Sequence, residues 1–119
     1  MDKQAVAEQT VSKLSGRGTF SKWLGIQVKM VKPGSVTLQM TVRSEMLNGL
    51  GVAHGGIAFS LADTALGFAS NSHGTISMAV ENNISYLQKI REGDLLTATT
   101  EELSQGKRIG VYRITDRPE

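Results

Sequence analysis

One acidic residue stands in the middle of a strongly apolar stretch of the sequence. Asp63 lies within residues 56–70, where the surrounding side chains leave hardly any polar face. An ionised carboxylate buried there costs several kcal/mol unless it is paired or hydrogen-bonded. Asp63 is therefore expected either to bond to Ser60 or Thr64 as a structural residue, or to face a cleft and act as a base or nucleophile.

Glycines give this stretch a second chemical feature. Gly56, Ser60, Asp63 and Gly67 are spaced by four, three and four residues, so they share one face of a helix and leave room beside its backbone. Gly55 and Gly56 stand at the helix start, where amides lack an intrahelical partner and can hold a developing oxyanion. A carboxylate and an amide donor are the minimum parts for acyl transfer, and they need not come from the same subunit.

The glycine-rich loop before the helix contains two more polar candidates, His54 and Asn48. A loop histidine can cap the helix or hold the loop together, and such a structural role is the commoner one. Asn48 by itself is a common turn residue. Neither residue alone distinguishes a catalytic role from a structural one.

Two helices are predicted to frame these residues. The first, over residues 4–14, carries an apolar stripe and ends at the glycines of residues 16–18. The second, over residues 56–70, is apolar almost all round, which is typical of a buried helix. Phe20 and Trp23 are placed to cover one end of it.

Alternating apolar residues predict the strands. Residues 24–32 and 36–42 flank Pro33 and Gly34, a pair suited to a type II turn, and so predict an antiparallel hairpin. Three further strands are predicted over residues 76–87, 94–103 and 108–115. The order of elements predicts an α+β fold, with an antiparallel sheet wrapped around one long central helix.

Composition narrows the class of protein. A chain of 119 residues favours a single domain over residues 1–119. With 13 basic and 11 acidic residues, the charge is too balanced to predict a nucleic-acid partner. The absence of cysteine excludes thiolate metal sites and a cysteine nucleophile, and no cofactor or metal is expected. Since neither a signal peptide nor a membrane-spanning stretch is present, we expect a cytoplasmic protein without a membrane partner.

The loop of residues 48–56, followed by Phe59-Ser60-Leu61-Ala62-Asp63-Thr64-Ala65, resembles the signature of hotdog thioesterases related to the phenylacetic acid degradation thioesterase PaaI. The similarity extends into Asn71-Ser72 and Gly74, and more weakly from Trp23 to Tyr112. It implies a hotdog fold and a hydrolase that converts an aryl- or medium-chain acyl-CoA to free acid and CoA. A non-catalytic acyl-CoA binding module on the same fold is the alternative, and a dehydratase acting on acyl carrier protein is a more distant one.

The resemblance also implies roles. The amide of Gly55 would polarise the thioester carbonyl, and Asp63 of the opposite protomer would activate water or attack as a nucleophile. Asn48 would position the carbonyl or the water, and His54 would support the loop. The active form would be a homodimer, with a homotetramer favoured. Asp63 is then expected within about 7 Å of the partner's Gly55 amide, to hold a carbonyl and a water between them.

Substrate contacts are expected from Gly56, Thr64, Lys89 and Arg91, although exposed basic residues are more often simply solvated. The sequence departs from its relatives at three places. A strand hydroxyl that faces the site in relatives is replaced near Ala79, with Ser77 as a substitute. Gln88-Lys89 stands where relatives have Arg-Pro. Relatives continue past the expected turn at residues 116–118 into a final strand, which this sequence is expected to lack.

Overall fold

The computed structural model describes residues 1–118. Within that range the chain forms an α+β fold, as predicted. The helices are α1 (Lys3–Arg17), α2 (Thr19–Leu24) and α3 (Gly55–Asn71), with a short 3-10 turn at Ser44–Met46. The strands are β1 (Gln27–Lys32), β2 (Ser35–Thr41), β3 (Leu95–Gln105) and β4 (Gly110–Pro118).

The predicted hairpin is confirmed, but its first strand begins later than expected. Lys32 pairs with Ser35 across a two-residue turn, in which Gly34 has a φ of 77°. Leu24, expected in the strand, instead ends α2. The reason is Gly25, whose φ of 77° terminates that helix in the left-handed conformation before the chain can extend.

The strands form an antiparallel sheet in the order β1-β2-β3-β4, and α3 packs against it. Alternate residues of β2 are buried, because one face of the sheet meets the helix while the other does not. The predicted sheet around one long helix is thereby confirmed in its essentials. The core between the two layers is built mainly from Val36, Leu38, Met40, Leu61, Ala65, Phe68, Leu96 and Ala98.

The predicted strand over residues 76–87 is wrong for the described protomer. This segment pairs with no strand within residues 1–118. Ile76, Met78 and Val80 are 90%, 87% and 92% exposed. An alternating apolar pattern becomes a strand only when a neighbouring strand accepts its backbone hydrogen bonds, and the protomer supplies none here.

The last two predicted strands are confirmed, with shifted ends. The third strand ends at Gln105 and the fourth continues to Pro118. Residues 116–118 were expected to form a turn, but they pair with residues 96–98 of β3. Among the residues described, no helix is both long and apolar enough to cross a membrane.

Candidate active site

His54 is the N-cap of α3. Its Nδ1 accepts a hydrogen bond from the Gly56 amide at 2.8 Å, and its own amide donates to the Met46 carbonyl at 2.9 Å. Because Nδ1 is the acceptor, the neutral imidazole carries its proton on Nε2. His54 therefore fixes the first turn of α3 onto the preceding loop and keeps one N–H donor for another group.

The Gly55 amide occupies the first position of α3. No acceptor for it is found among residues 1–118, whereas the neighbouring amides of Gly56 and Ile57 are both bonded to His54. The ring of Tyr86 packs against the Gly55 backbone, since a Cβ added there would lie 3.2 Å from it. A free amide at the positive end of a helix dipole suits a developing negative charge.

Asn48 shapes the loop that carries these groups. Its Oδ1 accepts from the amide of Leu50 at 2.9 Å, and its own amide donates to the Val52 carbonyl at 2.8 Å. The loop is then tied to the chain beyond α3, because the Ala53 amide donates to the Ile90 carbonyl at 2.7 Å. Within the protomer, the carboxamide oxygen of Asn48 thus holds a turn.

The expectation that Asp63 is shielded from water is wrong for the single protomer. Asp63 is exposed, and so is Phe59 one turn earlier, because this face of α3 is left uncovered. Nor is it bonded to Ser60 or Thr64: the Thr64 hydroxyl donates to the Ser60 carbonyl at 2.8 Å instead. The Asp63 carboxylate accepts from the side chain of Asn82 at 2.9 Å.

Asp63 and Gly55 lie too far apart to act together within one protomer. Eight residues separate them along the same helix, which corresponds to about 12 Å of axial rise. A thioester carbonyl and one water span only about 7 Å at hydrogen-bonding distances. Two groups of one chain therefore do not complete the proposed acyl-transfer arrangement.

Two open clefts flank the start of α3, and His54 lines both. The first cleft has a volume of about 350 Å³ and the second about 390 Å³. Lining the first are Phe20, Trp23, Glu45, Met46, Leu47, His54, Gly56, Ile57 and Ser60. Lining the second are Val52, Ala53, His54, Gly55, Ala58, Tyr86, Leu87, Gln88, Lys89 and Ile90.

The predicted substrate contacts are only partly brought together. Gly56 lines the first cleft and Lys89 the second, whereas Thr64 and Arg91 line neither. Arg91 is exposed, and its amide donates to the Asp94 carboxylate at 2.8 Å. Within residues 1–118, no three His, Asp or Glu side chains lie close enough to bind one metal ion.

Ser77, which was expected to substitute for the strand hydroxyl of the relatives, lies at the carboxyl-terminal end of α3. The Ser77 hydroxyl donates to that of Ser70 at 2.9 Å, and its amide donates to the Asn71 side chain at 2.9 Å. Ala79 belongs to the exposed segment that follows. In the protomer, neither residue reaches the first turn of the helix.

Sequence reasoning missed one buried carboxylate, Asp116. It pairs with Ala98 in the β3–β4 register, and both its oxygens are buried without a hydrogen-bond partner among residues 1–118. Burial raises the pKa of Asp116 to about 7. The available signal was its spacing: Tyr112, Ile114 and Asp116 alternate along one strand, so they share a face.

Comparison with known proteins identifies relatives of this chain. A profile described as "Thioesterase superfamily" matches residues 50–116. The acyl-coenzyme A thioesterase PaaI of Escherichia coli K12 is 45% identical over 94 residues, which cover 79% of this chain and 67% of PaaI. A putative esterase of Archaeoglobus fulgidus is 40% identical over 89 residues, which cover 75% of this chain but only 58% of that protein.

Solved structures agree with the sequence comparison. The structure of E. coli PaaI, from the phenylacetic acid degradation operon, matches with a TM-score of 0.96 at 37% identity, covering 99% of this chain and 86% of that one. The smu.793 protein of Streptococcus mutans, solved with bound acetyl-CoA, matches with a TM-score of 0.77 at 28% identity. That match covers 79% of this chain and 76% of the streptococcal one.

Proposed function

We propose, from the premise that this chain belongs to the thioesterase superfamily as a PaaI-related hotdog thioesterase, that it hydrolyses an aryl- or medium-chain acyl-CoA at a site shared between subunits. The observation that carries the proposal is the Gly55 amide at the start of α3, which has no acceptor among residues 1–118 and lies beside the two clefts that His54 lines. The resemblance found in the sequence is confirmed at the level of family and fold.

The reaction follows from the groups at this turn. The Gly55 amide N–H donates a hydrogen bond to the thioester oxygen as negative charge develops on it. Asp63 of the partner subunit removes a proton from water as the water oxygen bonds to the carbonyl carbon. The carbon–sulfur bond then breaks, and the CoA thiolate takes up that proton. A thioester is sufficiently activated that one base and one oxyanion donor suffice.

Two features of the protomer support the shared site. The first is the separation of about 12 Å along α3, which prevents Asp63 from serving its own Gly55. The second is the uncovered face around Asp63, together with the exposed apolar segment of residues 76–80. Apolar surface of this kind marks an interaction face. We propose a homodimer as the minimal active unit, with a homotetramer as the larger assembly.

The first experiment measures thiol release from a panel of acyl-CoAs, comparing the wild type with Asp63→Ala. We expect the variant to lose about 10²- to 10⁴-fold in kcat, the usual contribution of a general base. Asn82→Ala is the matched control, because it removes the protein partner of Asp63 and leaves its carboxylate. Equal turnover by wild type and Asp63→Ala would disprove the assigned base. Tight acyl-CoA binding without any turnover would instead indicate a binding module.

Subunit mixing tests the shared site directly. Asp63→Ala removes the base and Gly55→Pro removes the amide donor. If each site combines Gly55 of one subunit with Asp63 of the other, a dimer of one variant with the other contains one intact site. Co-refolding equal amounts should restore about a quarter of wild-type activity, since half the dimers are mixed and each has one complete site of two. No recovery from two folded, exchanging variants would show that both groups must belong to one chain.

The finer assignments rest on the relatives. Asn48 is proposed to orient the carbonyl or the water, and Thr64, Lys89 and Arg91 to contact the substrate from outside the first turn of α3. A place in phenylacetic acid degradation is proposed from the operon of the E. coli relative. The cytoplasm is proposed as the location from the CoA ester substrate. Profiling free acids after overexpression tests the substrate class.

A further inference from the structure

The two clefts extend from a shared lining residue at the start of α3, and this branched form matches the two-armed shape of an acyl-CoA. His54 lines both, while Gly56 lines the first and Gly55 the second. An acyl-CoA bound with its carbonyl at the Gly55 amide extends in two directions, one for the acyl group and one for the pantetheine arm. Each cleft is then available to one arm.

Charge distinguishes the clefts. The second cleft includes Lys89 and no acidic side chain, so it suits the approach of the phosphate-bearing CoA arm. The first cleft includes Glu45 and neither lysine nor arginine, and His54 is common to both clefts. Glu45 is paired with Arg43 at 2.7 Å, which leaves little free positive charge at that entrance.

The first cleft also has a fixed aromatic wall. The rings of Phe20 and Trp23 stack with centroids 6.2 Å apart and planes within 7°. The Arg43 guanidinium lies 5.0 Å from the centre of the Trp23 ring and donates to the Trp23 carbonyl at 2.6 Å. Even so, Phe20 is 54% exposed and Trp23 48% exposed, so ring surface remains available for contact.

We propose that the first cleft binds the acyl group and that the Phe20–Trp23 wall selects aryl over short aliphatic acyl groups, while the CoA arm occupies the second cleft beside Lys89 and Tyr86. This assignment rests on the proposed thioesterase function and specifies its substrate class. An aromatic acyl group gains contact with a preordered ring pair, whereas an acetyl group is too short to reach it.

Trp23 provides the first test because it is the only tryptophan in the chain. The Asp63→Ala variant, which should bind without turnover, is titrated with phenylacetyl-CoA, acetyl-CoA and CoA while tryptophan emission is recorded. Phenylacetyl-CoA should change the emission with saturation. CoA should compete for binding yet change the emission little. An equal change with CoA alone would place the CoA arm in the first cleft and overturn the assignment.

Selectivity provides the second test. Trp23→Leu should lower the ratio of kcat/KM for phenylacetyl-CoA to that for acetyl-CoA by about two- to tenfold, the contribution of one aromatic pair. Ile109→Ala, at an exposed residue outside both clefts, is the control and should leave the ratio unchanged. Lys89→Gln should raise KM for both substrates equally, with the effect shrinking in high salt.

The outcomes separate this inference from the function on which it rests. Turnover that depends on Asp63 but keeps the same substrate ratio in Trp23→Leu overturns the aromatic wall and leaves the thioesterase intact. Wild-type protein without turnover on any acyl-CoA refutes the proposed function. In that case, the fluorescence titration of the wild type still decides which cleft takes the acyl group.

Discussion

The two ends of α3 differ in how their polar groups are used. At the carboxyl-terminal end, the fully buried Ser72 accepts from the Gly34 amide at 2.7 Å and donates to the Ala69 carbonyl at 2.6 Å. Beside it, Glu102 bonds to both His73 and Tyr112 at 2.6 Å. These bonds join the helix to the β1–β2 turn and to the β3–β4 pair, and we call this the closed end.

At the amino-terminal end, strong polar groups are left without partners in the part of the chain described. One is the Gly55 amide; the Asp116 carboxylate, which lies opposite Ala98 in the β3–β4 pair, is likewise without a partner. Buried or oriented polar groups are normally satisfied, so such exceptions indicate a ligand, a partner or strain. The closed end stabilises the fold, and the open end keeps its donors for binding.

Among the groups at the two ends of α3, the largest effect is expected from removing the Gly55 amide hydrogen. Gly55→Pro deletes the amide hydrogen at the first helical position, where proline is well tolerated. The preceding His54 has φ −59° and ψ 138°, a conformation compatible with a following proline. We expect kcat to fall about 10²- to 10³-fold, with the free energy of unfolding changed by less than about 1 kcal/mol.

Gly55→Ala is the control for that experiment. It keeps the amide hydrogen and adds only a Cβ, which would lie 3.2 Å from the exposed Tyr86 ring. If alanine and proline reduce kcat equally, the loss comes from the displaced tyrosine, and the amide is not an oxyanion donor. Measuring kcat and chemical denaturation for both variants separates the two causes.

At the closed end, Ser72→Ala should affect stability instead of turnover. The substitution leaves the Gly34 amide buried without its acceptor, which costs about 1–3 kcal/mol. Urea unfolding measures this loss, and the exposed Ser12→Ala on α1 serves as the comparison. If folded Ser72→Ala protein loses kcat while its free energy of unfolding is unchanged, the distinction between the two ends is wrong.

Asp116→Asn should increase stability, in contrast to Ser72→Ala. The ordinary pKa of 3.8 is raised to about 7 by burial, so the folded state binds the proton more tightly than the unfolded state. Wild-type stability therefore falls as pH rises from about 4 to about 7 and is level above that. The variant should gain about 1–3 kcal/mol at pH 8 relative to pH 4. A pH-independent difference would mean that Asp116 acquires a partner in the assembly.

The smallest effect is expected at Glu102. Burial raises its pKa, but the hydrogen bonds from His73 and Tyr112 outweigh burial and hold the pKa below its ordinary 4.5. Because the folded pKa is lowered, the stabilisation is complete above pH 4.5 and is lost as pH falls through the folded value. Glu102→Gln should cost about 1 kcal/mol at pH 7, since solvent reaches these side chains, and less in acid. Thermal unfolding at both pH values checks the trend.

Local sequence patterns correctly predicted the parts of the fold whose pairing and packing are specified by neighbouring residues. The turn at Gly34 and the alternating residues of β2 required only neighbouring sequence, and both are found. Residues 76–87 show the same alternation but lie unpaired within the described chain, because a strand needs a neighbour that no local pattern specifies. The end of α2 at Gly25 was likewise missed, because six residues are too few to show a helical period.

The candidate site divides in the same way. The glycines, His54 and Asp63 follow from residue type and spacing, because a helix start always has unpaired amides and an acid in an apolar stretch is always conspicuous. That Tyr86 lies on Gly55 and that Trp23 lines the same cleft as Gly56 are consequences of packing between distant segments, whereas the His54 cap is a local bond to the Gly56 amide. The sequence by itself thus determined which groups can react, through local chemistry. Only the tertiary structure decided which of them meet and which remain open, because contacts between segments far apart in the chain depend on how the helix packs on the sheet.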